Sequence, residues 1–268
     1  MTVDLNSLTD AQKQQIDVVA IGAHPDDTEL GVGGTLATLA KEGVTVGIID
    51  LTNAEPTPMN DKYRSPTDFD PDFGQQRIDE SKCAAKKLGL TARITLDLPN
   101  RRLFDNFETR CELATILRLW KPKTAMVMYG KTVMASPDHY QAQNIVEAAV
   151  FYSRLTKWES YMGNLPVHRL NNVFYFPIRR AGFLNPQGET GNLTSFFTDI
   201  SDVIEAKKEA ILCYESQFQS QNKTDFVDSI IERNREYGRL VGVQYAEHLA
   251  SPNPILMTDF KSLINNKR

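Results

Sequence analysis

Short runs of consecutive apolar residues alternate with longer stretches in which apolar positions recur every three or four residues. Residues 16–22 (IDVVAIG) are apolar almost throughout, the pattern of a strand buried on both faces. In residues 33–41, Leu36, Leu39 and Ala40 fall at helical spacing, and Gly43 ends the helix. Residues 44–51 (VTVGIIDL) read as a second buried strand, and residues 73–88 as a long helix closed by Gly89. A third strand is predicted at 92–98, a helix at 108–120 and a fourth strand at 124–129. The remainder is less regular, with a strand expected at 171–176 and helices at 201–217 and 226–240.

Strands separated by helices imply βαβ units, and therefore an α/β fold whose mostly parallel sheet is covered on both faces. Such sheets bind ligands at the carboxyl ends of their strands, so the residues just after each strand carry the functional expectation. The stretch 52–72 is long for a connection in a compact domain and reads as a binding loop or lid. No internal repeat or interdomain linker interrupts the pattern, so residues 1–268 are expected to form one domain.

Composition narrows the functional classes. With 41% hydrophobic and 24% charged residues and a net charge of -4, the chain resembles an ordinary soluble enzyme and lacks the basic face expected of a nucleic-acid binder. A local basic pocket for a small anionic substrate is compatible with that balance. Residues 1–15 are polar, with no basic region leading into an apolar run, and no stretch approaches the length of a membrane span. A cytoplasmic protein with no membrane partner is expected. Cys83, Cys111 and Cys213 are widely spaced and form no CxxC. They are expected to be buried or incidental thiols in a reducing compartment, neither a disulfide framework nor a thiolate metal site.

The densest chemistry follows the first strand, in Ala23-His24-Pro25-Asp26-Asp27-Thr28-Glu29. Neutral imidazole and carboxylate are good zinc ligands, and Pro25 restricts its own backbone and that of His24. Adjacent aspartates in an enclosed loop repel each other unless a cation or proton intervenes. The bland reading is a loop that only caps the next helix through Asp26 or Asp27. A catalytic zinc site needs a further ligand, and only four histidines are present. His139 follows the fourth strand in Ser136-Pro137-Asp138-His139 and is the natural choice. His168 and His248 read as surface or hydrogen-bonded structural histidines. Gly31-Val32-Gly33-Gly34 lacks the GxGxxG spacing of a dinucleotide site, which disfavours a nicotinamide-dependent oxidoreductase and suggests close helix-to-sheet packing.

AHPDDTELGVGGTLA and the central PDH, supported by VGIIDLT, RIDESKCAAKKLGL, EAILCYESQF and YGRLVGVQYAEHL, resemble the PIG-L/LmbE-like zinc-dependent deacetylases. The likeness extends over nearly the whole chain and is strongest to the branch that deacetylates N-acetylglucosaminyl malate in bacillithiol biosynthesis. It implies a Rossmann-like three-layer sandwich that removes acetate from an N-acetylglucosamine-containing small molecule. It further implies His24, Asp27 and His139 as zinc ligands, Asp26 as general base and Asp138 as a carboxylate that orients a histidine. Iron, cobalt or nickel would also suit a His₂Asp set. By the same resemblance Arg77 contacts the sugar, and Asn100 stands where an aspartate often binds a sugar hydroxyl. Homo-oligomers are frequent in the family.

Two departures bear on the reaction and on the substrate. Ser136 replaces the first histidine of the family's His-Pro-Asp-His, which helps stabilise the oxyanion. After the second strand the malate branch usually reads Gly-Glu-Leu-Gly-Thr-Arg, whereas this chain has Asn53-Ala54-Glu55-Pro56-Thr57-Pro58-Met59, and Ala135 replaces a further arginine. Glu55 is thereby a candidate substrate contact, and Lys62, Arg64 and Lys131 are candidate partners for a carboxylate. A zinc amidase for a larger acyl or thiol-conjugate amide, and a degenerate metal- and sugar-binding protein, are the competing readings.

Overall fold

The apolar run at 16–22 becomes the middle of a seven-stranded sheet in the computed structural model, which describes residues 4–130, 135–178, 193–218 and 223–256. In chain order the strands are β1 (Val18–Gly22), β2 (Val46–Asp50), β3 (Ala92–Thr95), β4 (Thr124–Met128), β5 (Asn172–Phe176), β6 (Thr194–Asp199) and β7 (Ala246–Ser251). Across the sheet they run β3-β2-β1-β4-β5-β7-β6. The first five are parallel, and β7 lies antiparallel to both β5 and β6. Val18 pairs with Val46 on one side and Thr124 on the other, so the strand order reverses at β1, the point where such folds open a crevice for ligands.

The helices are α1 (Asp27–Lys41), α2 (Pro71–Leu88), α3 (Phe107–Trp120), α4 (Pro137–Tyr152), α5 (Ile204–Leu212) and α6 (Lys223–Val241). Asp70 caps α2, which ends at Gly89 in the left-handed region (φ 71°), and Asn106 and Thr109 form a reciprocal capping box on α3. Val19, Ala20 and Ile21 of β1 are buried together with Ile48, Ile49, Leu113, Leu117 and Trp120. Two of the glycines read as packing residues do seat α1. A Cβ on Gly34 would lie 2.8 Å from the Ile200 side chain, and one on Gly31 would collide with the Phe176 ring of β5.

Several expectations need correction. Helix α1 begins at Asp27, not at 33, because its first turn consists of buried polar residues whose side chains are bonded, and no apolar period marks it. The helix expected at 201–217 stops at Leu212; beyond it the Ser216 amide donates to Glu80 of α2 at 2.7 Å, outside any helix. Helix α4 and strands β6 and β7 were not anticipated. Cys83 and Cys213 form a disulfide, contrary to the thiol reading, because α2 and α5 pack together and bring cysteines 130 residues apart into contact. Cys111 is a buried free thiol. Among the described residues no helix is long and apolar enough to cross a membrane.

Candidate active site

The turn from β1 to α1 carries His24, Asp26 and Asp27, and the first turn of α4 carries Asp138 and His139. Asp27 faces both rings: His24 Nδ1 lies 3.4 Å from its Oδ2, and His139 Nε2 lies 3.5 Å from its Oδ1. Its Oδ2 also accepts from the Ala23 and His24 amides at 3.1 and 2.9 Å, which fixes the carboxylate against the end of β1. The other nitrogen of His24, Nε2, meets Oδ2 of buried Asp138 at 3.3 Å. Asp138 is itself held by the Arg101 amide (2.6 Å) and the Leu103 amide (3.3 Å). One ligand atom each from His24, Asp27 and His139 lie within 4.8 Å of one another. Two imidazoles and a carboxylate converging at this distance fit a three-ligand divalent metal, with a carboxylate behind one imidazole to set its tautomer.

The charges around the cluster are unequal. Burial works against a charge on His24, yet its bonds to Asp138 and Asp27 outweigh that and hold the imidazole up at about 10. Burial would raise Asp27, but the facing His139 and His24 pull it down to about 2. Asp26 has no comparable partner set: burial pushes its carboxyl up to about 7, against the opposing pull of Arg77. Two adjacent carboxyls thus differ, one committed to the cluster and one poised to exchange a proton near neutral pH. Asp26 sits at φ 116°, and among the described residues two other non-glycine residues that line the cleft, Ala54 (φ 65°) and Arg101 (φ 62°), also have left-handed backbones. Strain of this kind collects where surrounding structure holds a functional geometry.

These groups border a cleft of about 190 Å³ lined also by Thr57, Asn100, Ser136 and Gln217. Ser136 is the N-cap of α4, its Oγ accepting the Asp138 amide at 3.4 Å. Asn100 donates through Nδ2 to Pro56 O at 2.8 Å, while its buried Oδ1 has no partner among the described residues. Arg77 is not on the helix surface. It lines the cleft but is fully buried, bonded to Pro25 O, Asp26 Oδ2 (3.3 Å) and Glu80 Oε2 (3.4 Å), with its guanidinium 5.0 Å over the Tyr214 ring.

Glu55, expected to touch substrate, does not line the cleft. It is buried inside the loop after β2, where Oε1 accepts from the Asp70 amide (3.2 Å) and Asn60 Nδ2 (3.4 Å), and its side chain braces that loop. Lys62 pairs with Asp70 at 3.1 Å, and Arg64 donates to the Tyr63 carbonyl at 2.8 Å. Neither borders the cleft. Lys131 lies outside the described residues. His168 meets Pro122 O at 2.7 Å, and His248 stacks on Phe197, so both have structural partners. Arg101 and Gln217 border the cleft without having been expected there. Arg101 is legible only through its adjacency to Asn100, and Gln217 follows an irregular turn that no sequence pattern marks.

Comparison with known proteins accords with this geometry. The family model described as PIG-L: GlcNAc-PI de-N-acetylase matches residues 19–150. The uncharacterized deacetylase YaiS of Escherichia coli (strain K12) is 36% identical over 171 residues, covering 60% of this chain and 85% of YaiS. A diacetylchitobiose deacetylase of Thermococcus kodakarensis is 26% identical over 235 residues, covering 86% of this chain and 80% of that protein. Among solved structures, the conserved protein TT1542 from Thermus thermophilus superposes with a TM-score of 0.73 at 30% identity, over 92% of this chain and 99% of that one. Two of these three are named deacetylases, and the class of protein is a deacetylase enzyme. The chain belongs to the PIG-L family.

Proposed function

We propose that this protein hydrolyses the N-acetyl amide of an N-acetylglucosamine-containing small molecule, releasing acetate and the free amine, with residues 1–268 acting as one deacetylase domain. The observation that carries the reading is the His-Asp-His cluster, whose ligand atoms lie within 4.8 Å of one another, with the buried carboxyl of Asp26 beside it in the same cleft. Two relatives named for amino-sugar substrates support the substrate class, the diacetylchitobiose deacetylase above and the 1D-myo-inositol 2-acetamido-2-deoxy-alpha-D-glucopyranoside deacetylase of Actinosynnema mirum.

Zinc or a similar divalent ion held by His24, Asp27 and His139 would supply Lewis acidity toward the acetyl carbonyl and acidify the attacking water. Asp26 takes the proton from that water as its oxygen attacks the carbonyl carbon, and returns it to the amine nitrogen as the C–N bond breaks. Ser136 donates its hydroxyl hydrogen to the oxyanion. Asp138 holds Nε2 of His24 and so keeps Nδ1 turned toward Asp27. The unpartnered Oδ1 of Asn100 accepts a sugar hydroxyl. Arg77, enclosed and bonded to both Pro25 and Asp26, works by positioning the base.

The loop after β2 is folded down, with Thr52, Asn53, Ala54, Glu55 and Thr57 buried, and it does not widen the cleft. A cleft of about 190 Å³ is small beside the roughly 300–1,000 Å³ of drug-sized pockets, which favours acetyl over a larger acyl group. N-acetylglucosaminyl malate belongs to the substrate class and is one compound to assay.

Asp26→Asn tests the reading. Acetate release should fall by about 10²- to 10⁴-fold while metal content, measured by elemental analysis, stays at the wild-type level. An Asn variant that is metal-loaded and fully active would overturn the assignment.

A further inference from the structure

Two arginines are among the residues that line the cleft, and their circumstances differ. The guanidinium of Arg77 is enclosed and committed to Asp26 and Glu80. The side chain of Arg101 is exposed, and among the described residues no carboxylate pairs with it. Its backbone, in contrast, is firmly held. The amide donates to Asp138 Oδ2 at 2.6 Å, and the residue is kept at φ 62°, a conformation that side-chain-bearing residues adopt only under such constraint. The same carboxylate oxygen faces His24, so the backbone of Arg101 is fixed relative to the His-Asp-His cluster while its side chain is exposed.

Consecutive residues therefore offer different recognition chemistry. Asn100 turns inward and presents a buried, unpartnered oxygen suited to a hydroxyl, and Arg101 turns outward and presents a cation. Among the described residues that border the cleft, Arg101 is the one exposed guanidinium, since Arg77 is buried and paired. A planar fork of donors with no carboxylate of its own suits a carboxylate or a phosphate.

We propose that Arg101 is a specificity-determining residue whose guanidinium binds an oxyanion, carboxylate or phosphate, carried by the amino-sugar conjugate outside its N-acetyl group. This rests on the deacetylase reading and adds to it that the preferred substrates are anionic.

The test compares three substrates: the methyl glycoside of N-acetylglucosamine, a glycoside of N-acetylglucosamine with a hydroxycarboxylic acid, and N-acetylglucosamine 1-phosphate. Each is assayed with wild-type enzyme, Arg101→Gln, Arg101→Lys and, as control, Arg102→Gln, an exposed neighbour that does not border the cleft. Wild-type kcat/KM should favour at least one anionic substrate over the neutral glycoside by about tenfold or more, and which one identifies carboxylate or phosphate. Arg101→Gln should remove most of that preference, mainly through KM, Arg101→Lys should restore part of it, and Arg102→Gln should keep it. A wild type without preference, or an Arg101→Gln variant that keeps it, would overturn the proposal. If no acetate is released from any compound the deacetylase reading fails instead; calorimetric binding of the same three compounds to wild type and Arg101→Gln then decides the Arg101 assignment by the same pattern.

Discussion

In the proposed mechanism Ser136 does two jobs with one hydroxyl. As N-cap its Oγ accepts the Asp138 amide, which keeps the first turn of α4, and with it His139, against the cluster. Its hydrogen remains to be donated into the cleft, where the family resemblance places a histidine. Serine cannot bring positive charge there, so the proposed step would use a neutral donor. Ser136→Ala should lower kcat by about 10²-fold with a smaller change in KM, and the lost cap should cost about 1 kcal/mol of stability. Ser136→His, which restores a donor able to carry charge, should turn over faster than the alanine variant. Steady-state kinetics alongside thermal melts separate the two effects, and an alanine variant with wild-type kcat would remove Ser136 from the mechanism. At this scale the sequence displayed the candidate cluster directly, because His24, Asp26 and Asp27 lie within four residues of one another. It was misleading about Glu55, whose burial inside its own loop depends on contacts with Asn60 and Asp70 that no local pattern displays.

The element that carries the site, the first turn of α1, is held from below by a buried ionic group. Arg93 of β3 donates to both oxygens of Asp50 at the end of β2 (2.7 Å each) and to Glu29 of α1 at 2.5 Å. Tyr214, just beyond α5, donates to the same Glu29 oxygen at 2.7 Å, and burial pushes its phenol well above the usual range. Two strands, α1 and the segment after α5 are thereby joined two residues beyond Asp27. Nothing in the local sequence marked Arg93, because its partners are 43 and 64 residues away. Removing the shared cation leaves two carboxylates buried without it. Arg93→Met should therefore lower the unfolding free energy by about 3–5 kcal/mol, read from the urea midpoint at unchanged slope. A loss below about 1 kcal/mol would show that water or rearrangement replaces the arginine.

Over the whole molecule, legibility follows the sheet. The parallel half was readable because each strand is a short apolar run stopped by a glycine or polar turn. The antiparallel end was not. In β7 the strand AEHLAS carries Glu247, which is fully buried and bonded to Lys207 Nζ (2.6 Å) and to the Gly34 and Thr35 amides (2.9 and 2.6 Å), so a charged residue stands where the pattern would want an apolar one. The Cys83–Cys213 bond is the other feature that only the assembled molecule displays, since α2 and α5 meet late in the chain. It closes a 130-residue separation, and it tethers to α2 the segment that brings Tyr214, Ser216 and Gln217 to the site. A cross-link over so long a loop restricts the unfolded chain and should contribute about 2–5 kcal/mol. For a chain of this size, reduction should lower Tm by about 5–10 °C. The Cys83→Ser, Cys213→Ser double variant should melt with the reduced wild type and be indifferent to added reductant. Alkylation of oxidised protein in denaturant should label a single thiol, Cys111, with two more appearing after reduction; three thiols labelled without reductant would show that the bond does not form.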